Sequence, residues 1–180
     1  MAHFSNGLVW GQWILCGLCA ASTAIAAPID DFSSPQSAAV DATADAAFSI
    51  SIQPGPIGGT VVPAGGQREV GVSKINNAIG AVEAEVFPGA LLYDAIGSVV
   101  GQLIVEYQGL GGIDLSAFDD LVVTGQIDPS AANAAGTTLG ITIEDGLANI
   151  ASSSFPLTSP GPFMQEIPLA DFAGVDLSTV

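Results

Sequence analysis

The sequence predicts an all-β fold, a sandwich or barrel of antiparallel strands, and two observations carry that expectation. Apolar residues recur with a period of two in several separate runs, the spacing that gives a strand one core face and one wet face. Between these runs, 22 Gly and 11 Pro punctuate the chain, and the segments they leave are about ten residues long, as in sheet proteins built from short strands and turns.

Taken in order, Phe48, Ile50 and Ile52 alternate with Ser49, Ser51 and Gln53, which predicts a strand with the three apolar residues in the core. Val82, Ala84 and Val86 alternate with Ala81, Glu83 and Glu85. Leu103, Val105 and Tyr107 alternate with Gln102, Ile104 and Glu106, and Leu139, Ile141 and Ile143 with Gly140, Thr142 and Glu144. The dipeptide Asp145-Gly146 tolerates positive φ and predicts a two-residue hairpin between strands over 138–144 and 147–153. The Ala-rich stretch 37–47 lacks a helical stripe and reads as an irregular loop with at most one turn. Residues 54–66 read as a Gly/Pro loop with a short strand at 60–62.

Residues 1–26 read as a cleaved export leader ahead of a single acidic domain at 27–180. Leu8 to Cys19 is apolar except for Gln12, and the small residues Ala24-Ile25-Ala26-Ala27 follow in the pattern of a leader-peptidase site. Cleavage is expected after Ala26, since cutting one residue later would leave Pro28 at the new end. The lead-in to the apolar run holds no Lys or Arg, only His3. The alternative is an uncleaved anchor, for which the run falls short of the roughly 20 apolar residues a membrane span needs. The expected location is therefore secreted, extracellular or at the cell surface.

Cys16, Cys19, Trp10, Trp13 and His3 all lie in the leader, so the expected mature domain has no cysteine, tryptophan or histidine. Nucleophilic devices that need His or Cys are excluded there, as are zinc, copper and iron centres of the usual ligand types. The net charge is −16, with Arg68 and Lys74 the only cationic residues of the Lys/Arg class. Nucleic acid and anionic membrane surfaces, which are bound through Lys/Arg clusters, are excluded as partners.

A short echo bears on the end of the domain. Gly112-Ile113-Asp114-Leu115-Ser116 recurs as Gly174-Val175-Asp176-Leu177-Ser178, each a tight turn held by its Asp and Ser. The first copy runs on through Ala117-Phe118-Asp119-Asp120 to a strand at 121–124, and the second is followed by Thr179-Val180. The parallel implies a domain lacking its C-terminal strand, which would self-associate through an unpaired edge. The alternative is that two common turns happen to coincide.

Several segments together carry a family resemblance. They are Ile29-Asp30-Asp31-Phe32, Gly65-Gly66-Gln67-Arg68-Glu69-Val70, and Glu166-Ile167-Pro168-Leu169-Ala170-Asp171-Phe172 with its continuation Gly174 to Val180. The set resembles secreted bacterial jelly-roll β-sandwich domains, similar to galactose-binding-like and carbohydrate-binding modules. The resemblance implies that the C-terminal segment leads into a final strand pairing back near the Asp-Asp-Phe strand. It also implies the context of exported proteins with PEP-CTERM sorting tails, tied to extracellular polysaccharide. The chain departs from sugar binders in its aromatic content. Such modules stack sugars on Trp or Tyr, and here Tyr93 and Tyr107 alone remain after the leader, with Phe32, Phe48, Phe87, Phe118, Phe155, Phe163 and Phe172 spaced like core residues.

No catalytic residue or bound cofactor is expected. A carboxylate pair is the only catalytic device the composition leaves. Glu83 and Glu85 lie on one strand face about 6.5–7 Å apart by strand geometry, which matches an inverting glycosidase, but half-exposed strands commonly carry such pairs. Calcium prefers clustered oxygen ligands, and if a structural calcium is bound its candidates are Asp30, Asp31, Asp119, Asp120, Glu144 and Asp145. Arg68 is expected to form a structural ion pair with a carboxylate, partly buried because Val70 and Val72 share its face. The expected function is a non-enzymatic secreted or surface protein, structural or in weak association with extracellular matrix or glycan. A carbohydrate-binding module proper is the alternative, and a small two-carboxylate glycosidase a more distant one.

Overall fold

The computed structural model describes residues 2–5, 13–21, 26–45, 47–95, 98–127, 137–157 and 159–180. Of the expected leader, residues 1, 6–12 and 22–25 lie outside the described residues, and β1, β2 and the start of β3 are described through their backbones. The described residues form strands β1 (Ala2–Ser5), β2 (Trp13–Ala21), β3 (Ala26–Asp30), β4 (Gln36–Asp41), β5 (Ser49–Pro54), β6 (Gln67–Lys74) and β7 (Val82–Phe87). Strands β8 (Ala90–Ala95), β9 (Gly101–Gln108), β10 (Asp120–Ile127), β11 (Thr137–Glu144), β12 (Ile150–Leu157) and β13 (Gly161–Pro168) follow, then a 3-10 turn at Leu169–Asp171.

These strands make two antiparallel sheets facing each other as a β-sandwich. One sheet runs β12-β11-β1-β9-β6-β5, and the other β13-β10-β2-β8-β7-β4, with β3 alongside β2. The period-two runs explain the arrangement. Val70, Val72, Leu103, Val105, Leu139, Ile141 and Ile143 line the inner face of the first sheet; Val82, Ala84, Val86, Leu91, Leu121 and Val123 line that of the second. Each buried side chain of this size contributes about 1.5–3 kcal/mol by leaving water, and these residues form one continuous core.

Four expectations are corrected. Strand β5 is reversed: Ser49, Ser51 and Gln53 are half-buried, while Ile50 and Ile52 are 52% and 54% exposed. The cause is pairing with β6, whose Arg68, Val70 and Val72 already face inward opposite Gln53, Ser51 and Ser49. A strand takes its facing from its neighbour's register, and register decides every side chain at once. Second, Gln36–Asp41 is strand β4 rather than loop, because β7 offers a pairing edge and Gln36, Ala39 and Asp41 turn inward. Third, β11 and β12 do form a hairpin, but Glu144 pairs with Ile150 and the loop has five residues, 145–149. The Asp145 carboxylate holds this wider loop by accepting from the N–H groups of Leu147 and Asn149, and Ala148 rather than Gly146 takes positive φ. The expected strand at 60–62 reduces to a single bridge between Asp30 and Thr60.

The echoed turns prove to be partners. In each, the Asp Oδ1 accepts from the N–H and hydroxyl of the Ser two residues on. The two copies lie against each other: Ile113 and Val180 exchange both backbone hydrogen bonds, and the Leu115 N–H donates to the Leu177 carbonyl at 2.7 Å. Like sequences adopt like turns here, and the like turns then pair.

Candidate functional site

Strands β6 and β9 carry the chemistry, and alternation divides it between two faces. Outward from β6 point Gln67, Glu69 and Gly71; opposite them on β9 are Gln108, Glu106 and Ile104. Strand β5 extends each row, with Ile50 beside Gly71 and Ile52 beside Glu69. Gly71 supplies no side chain, so its row is a trough between Ile50 and Ile104, closed at one end by Phe48. The result is a shallow cleft of about 100 Å³ lined by Phe48, Ile50, Glu69, Gly71, Ile104 and Glu106. A Cβ built on Gly71 would lie 3.4 Å from both Ile50 and Phe48, so the missing side chain is what opens the cleft.

Glu69 and Glu106 face each other across neighbouring strands, an arrangement that destabilises a sheet unless other groups intervene. Here amides do. Gln67 Nε2 donates to Glu69 Oε1 and, at 3.2 Å, to Gln108 Oε1; Gln108 Nε2 donates to Glu106 Oε1 at 2.6 Å. The outer face thus offers an apolar trough beside a fixed row of carboxylate and amide groups, which can hydrogen-bond hydroxyls along one edge of a ligand seated on the apolar floor.

The inner face of the same strands holds a buried polar network. Arg68 Nη1 lies 2.7 Å from Asp30 Oδ2, with both side chains fully buried. Arg68 Nη2 donates to the Ser34 carbonyl at 2.6 Å and Nε to Gln36 Oε1 at 2.8 Å. Asp30 also accepts from the Tyr107 hydroxyl at 2.8 Å and the Phe32 N–H at 2.7 Å. The Phe32 ring lies 5.9 Å from the guanidinium carbon. Burial pushes the Asp30 carboxyl above its ordinary value, against the pull of Arg68, the Phe32 N–H and the Tyr107 hydroxyl. Burial likewise raises Tyr107 well above a free phenol, with the Asp30 charge adding to it. The partner of Arg68 belongs to the opposite sheet, so the pair bridges the sandwich instead of pinning register within one sheet.

Lys74 completes the pattern. It is also buried, and its Nζ donates to the carbonyls of Ala42 and Gly80 at 3.1 and 2.9 Å. Both cationic side chains of the Lys/Arg class therefore serve the interior, and the surface is left to carboxylates.

The other expected site residues are dispersed. Asp31 is exposed and binds the Ser33 N–H at 2.8 Å. Asp119 is exposed and Asp120 half-buried at the start of β10, while Glu144 ends β11. Asp145 is 5% exposed, and its two oxygens accept from Leu147 N–H, Asn149 N–H, Asn149 Nδ2 and, from across the loop, Asp176 N–H. The Asp176 N–H is the largest of the influences that hold its carboxyl far below the usual range, followed by the Asn149 side chain. Among the described residues no three His, Cys, Asp or Glu side chains gather as a metal centre would need. Glu83 and Glu85 lie on β7, in the other sheet from the cleft, opposite Asp94 and Leu92.

No protein-family model, curated protein or solved structure matches the chain. What it does must therefore be read from its own geometry. Sequence reasoning missed the cleft because it assigned Phe48, Ile50 and Ile52 to the core. The available signal was Gly71 two residues from Glu69 on the same face of β6, but its meaning depends on which strands flank it. The two Tyr left as possible platforms, Tyr93 and Tyr107, are fully buried; of the Phe residues expected in the core, Phe32 and Phe172 are buried, whereas Phe87 is exposed. Among the described residues, Phe48 is the aromatic that lines the cleft.

Proposed function

We propose that this chain is an exported, non-enzymatic jelly-roll-like sandwich that associates with extracellular glycan through the outer face of β5, β6 and β9. The carrying observation is the cleft over Gly71, an apolar floor bordered by the Gln67–Glu69–Glu106–Gln108 row. A saccharide ring has an apolar face and a rim of hydroxyls, so it suits a floor of Ile50, Ile104 and Phe48 with acceptors along one side. A shallow site with one aromatic group favours weak binding, because stacking on aromatic faces supplies much of the energy in tight sites. With Arg68 and Lys74 buried, the face presents carboxylates, which favours neutral over uronic or sulfated polysaccharides. The jelly-roll wrap is supported by the chain's repeated passage between sheets, as in β4 to β5, β6 to β7 and β8 through β11. Export is supported by the leader pattern of residues 1–26.

A glycan array tests this reading, with the wild type beside Gly71→Val, which fills the trough from its floor. Neutral polysaccharides should be retained by the wild type and lost by Gly71→Val, while acidic ones are bound by neither. An array blank for the wild type, or equal binding by the filled variant, would reject the cleft as a glycan site.

A further inference from the structure

The two flanks of the sandwich are finished differently. On the β4/β5 side, Gln36 of β4 reaches across to β5, where its Nε2 donates to the Ser51 carbonyl at 2.7 Å, so a side chain ties the two terminal strands together. On the other side, β12 and β13 are consecutive, and among the described residues each is the last strand of its own sheet. Their inward residues Ala151, Phe155 and Phe163 are only half-buried, and Ile150 and Met164 are 63% and 66% exposed. Strand β13 is protected by Pro162, Pro168 and Glu166, which blunt an edge against pairing. Strand β12 carries no charge and a single proline, Pro156, beyond the central Ala151–Phe155 segment, and its register with β11 is uninterrupted from Glu144↔Ile150 to Thr137↔Leu157.

We infer that β12 is a self-pairing edge, and that its partner is β12 of a second copy of this chain. Charge selects the partner. The chain carries −16, so two copies repel except where charge is absent, and residues 146–165 contain no ionisable side chain. The sequence of β12 is also complementary to itself. In a two-fold antiparallel pair centred on Ser153, Ser152 faces Ser154 of the second copy on the outer side. On the inner side Ala151 faces Phe155 of the second copy. Each half-buried Phe155 then covers the other copy's Ala151, closing both open flanks, and the main-chain groups of the two edges pair as in strand addition.

The test uses the full chain in analytical ultracentrifugation from about 1 µM to about 1 mM, the span of weak association. Wild type should pass from monomer to dimer, and added salt should favour the dimer by screening like charges. Ser152→Glu with Ser154→Glu, and Ser152→Lys with Ser154→Lys, alter exposed positions; each double variant should stay monomeric. An equimolar mixture of the two should give a heterodimer by native mass spectrometry, and added salt should weaken it. A wild type monomeric throughout, or an acidic variant that dimerises like the wild type, would overturn the proposal.

Discussion

Arg68 on β6 and Asp30 at the end of β3 meet at 2.7 Å in the middle of the sandwich, each fully buried and each from a different sheet. Around them, Gln36, the Ser34 carbonyl, the Phe32 N–H and the Tyr107 hydroxyl supply the remaining hydrogen bonds. A buried pair this well satisfied adds little net stability over an apolar pair of like volume, but breaking it leaves an uncompensated charge.

Arg68→Met should therefore destabilise the fold by about 3–5 kcal/mol at neutral pH, measured by urea denaturation. Adding Asp30→Leu should recover much of that loss, since the stranded carboxylate is gone. The single variant should also recover in acid. Its Asp30 carboxyl, already raised by burial in the wild type, rises further without Arg68. A raised carboxyl favours folding below its unfolded value of 3.8 and loses that contribution as pH climbs through the folded value. A deficit independent of pH would contradict this account.

Asp145 titrates in the opposite sense. Its carboxyl is depressed by four donors, the Asp176 N–H foremost. A depressed carboxyl stabilises the fold fully above the unfolded value of 3.8, and the contribution is lost as pH falls below it. Asp145→Asn should lower the melting temperature at pH 7, and the gap from wild type should close as pH drops below that point. Thermal melts across pH decide it.

Two glycines should respond differently to alanine. At Gly71 the new methyl enters the open cleft at ordinary contact distance, so stability should hold while glycan retention falls. At Gly101 it would collide with Val82 and lie 2.9 Å from the Ser73 carbonyl oxygen. Overpacking of that kind costs about 1–3 kcal/mol. Equal denaturation midpoints for the two variants would be inconsistent with this packing.

Glu69→Gln should stabilise the sheet by about 0.2–1 kcal/mol, because it removes a like-charge pair facing across β6 and β9. The same change should weaken glycan retention. Gain of stability with loss of binding is the signature of a carboxylate kept for contact rather than for folding.

Removing residues 1–26 should weaken the fold. Strand β1 lies between β11 and β9, and β2 between β10 and β8, in the interior of their sheets. Leader cleavage and this arrangement draw on the same residues. A chain starting at Ala27 should unfold at lower urea than the full chain and expose apolar surface to a fluorescent dye. Equal midpoints would show that β1 and β2 add nothing to the sandwich.

The sequence by itself determined the class of fold, because alternation is a local property: Leu103-Val105-Tyr107 and Leu139-Ile141-Ile143 bury the residues that the period of two selects. It also determined what chemistry is absent after residue 26 and that Arg68 would need a carboxylate. Tertiary structure decided which carboxylate, since Asp30 lies 38 positions away and meets Arg68 only when the sheets face each other. It decided that Ile50 and Ile52 face water, because β5 inherits its register from β6, and so it created the cleft over Gly71. It also turned the echoed turns at 112–116 and 174–178 from a repeat into a contact. Periodicity records how a strand divides its own residues between two faces, but it does not record which face a neighbouring strand leaves for the core.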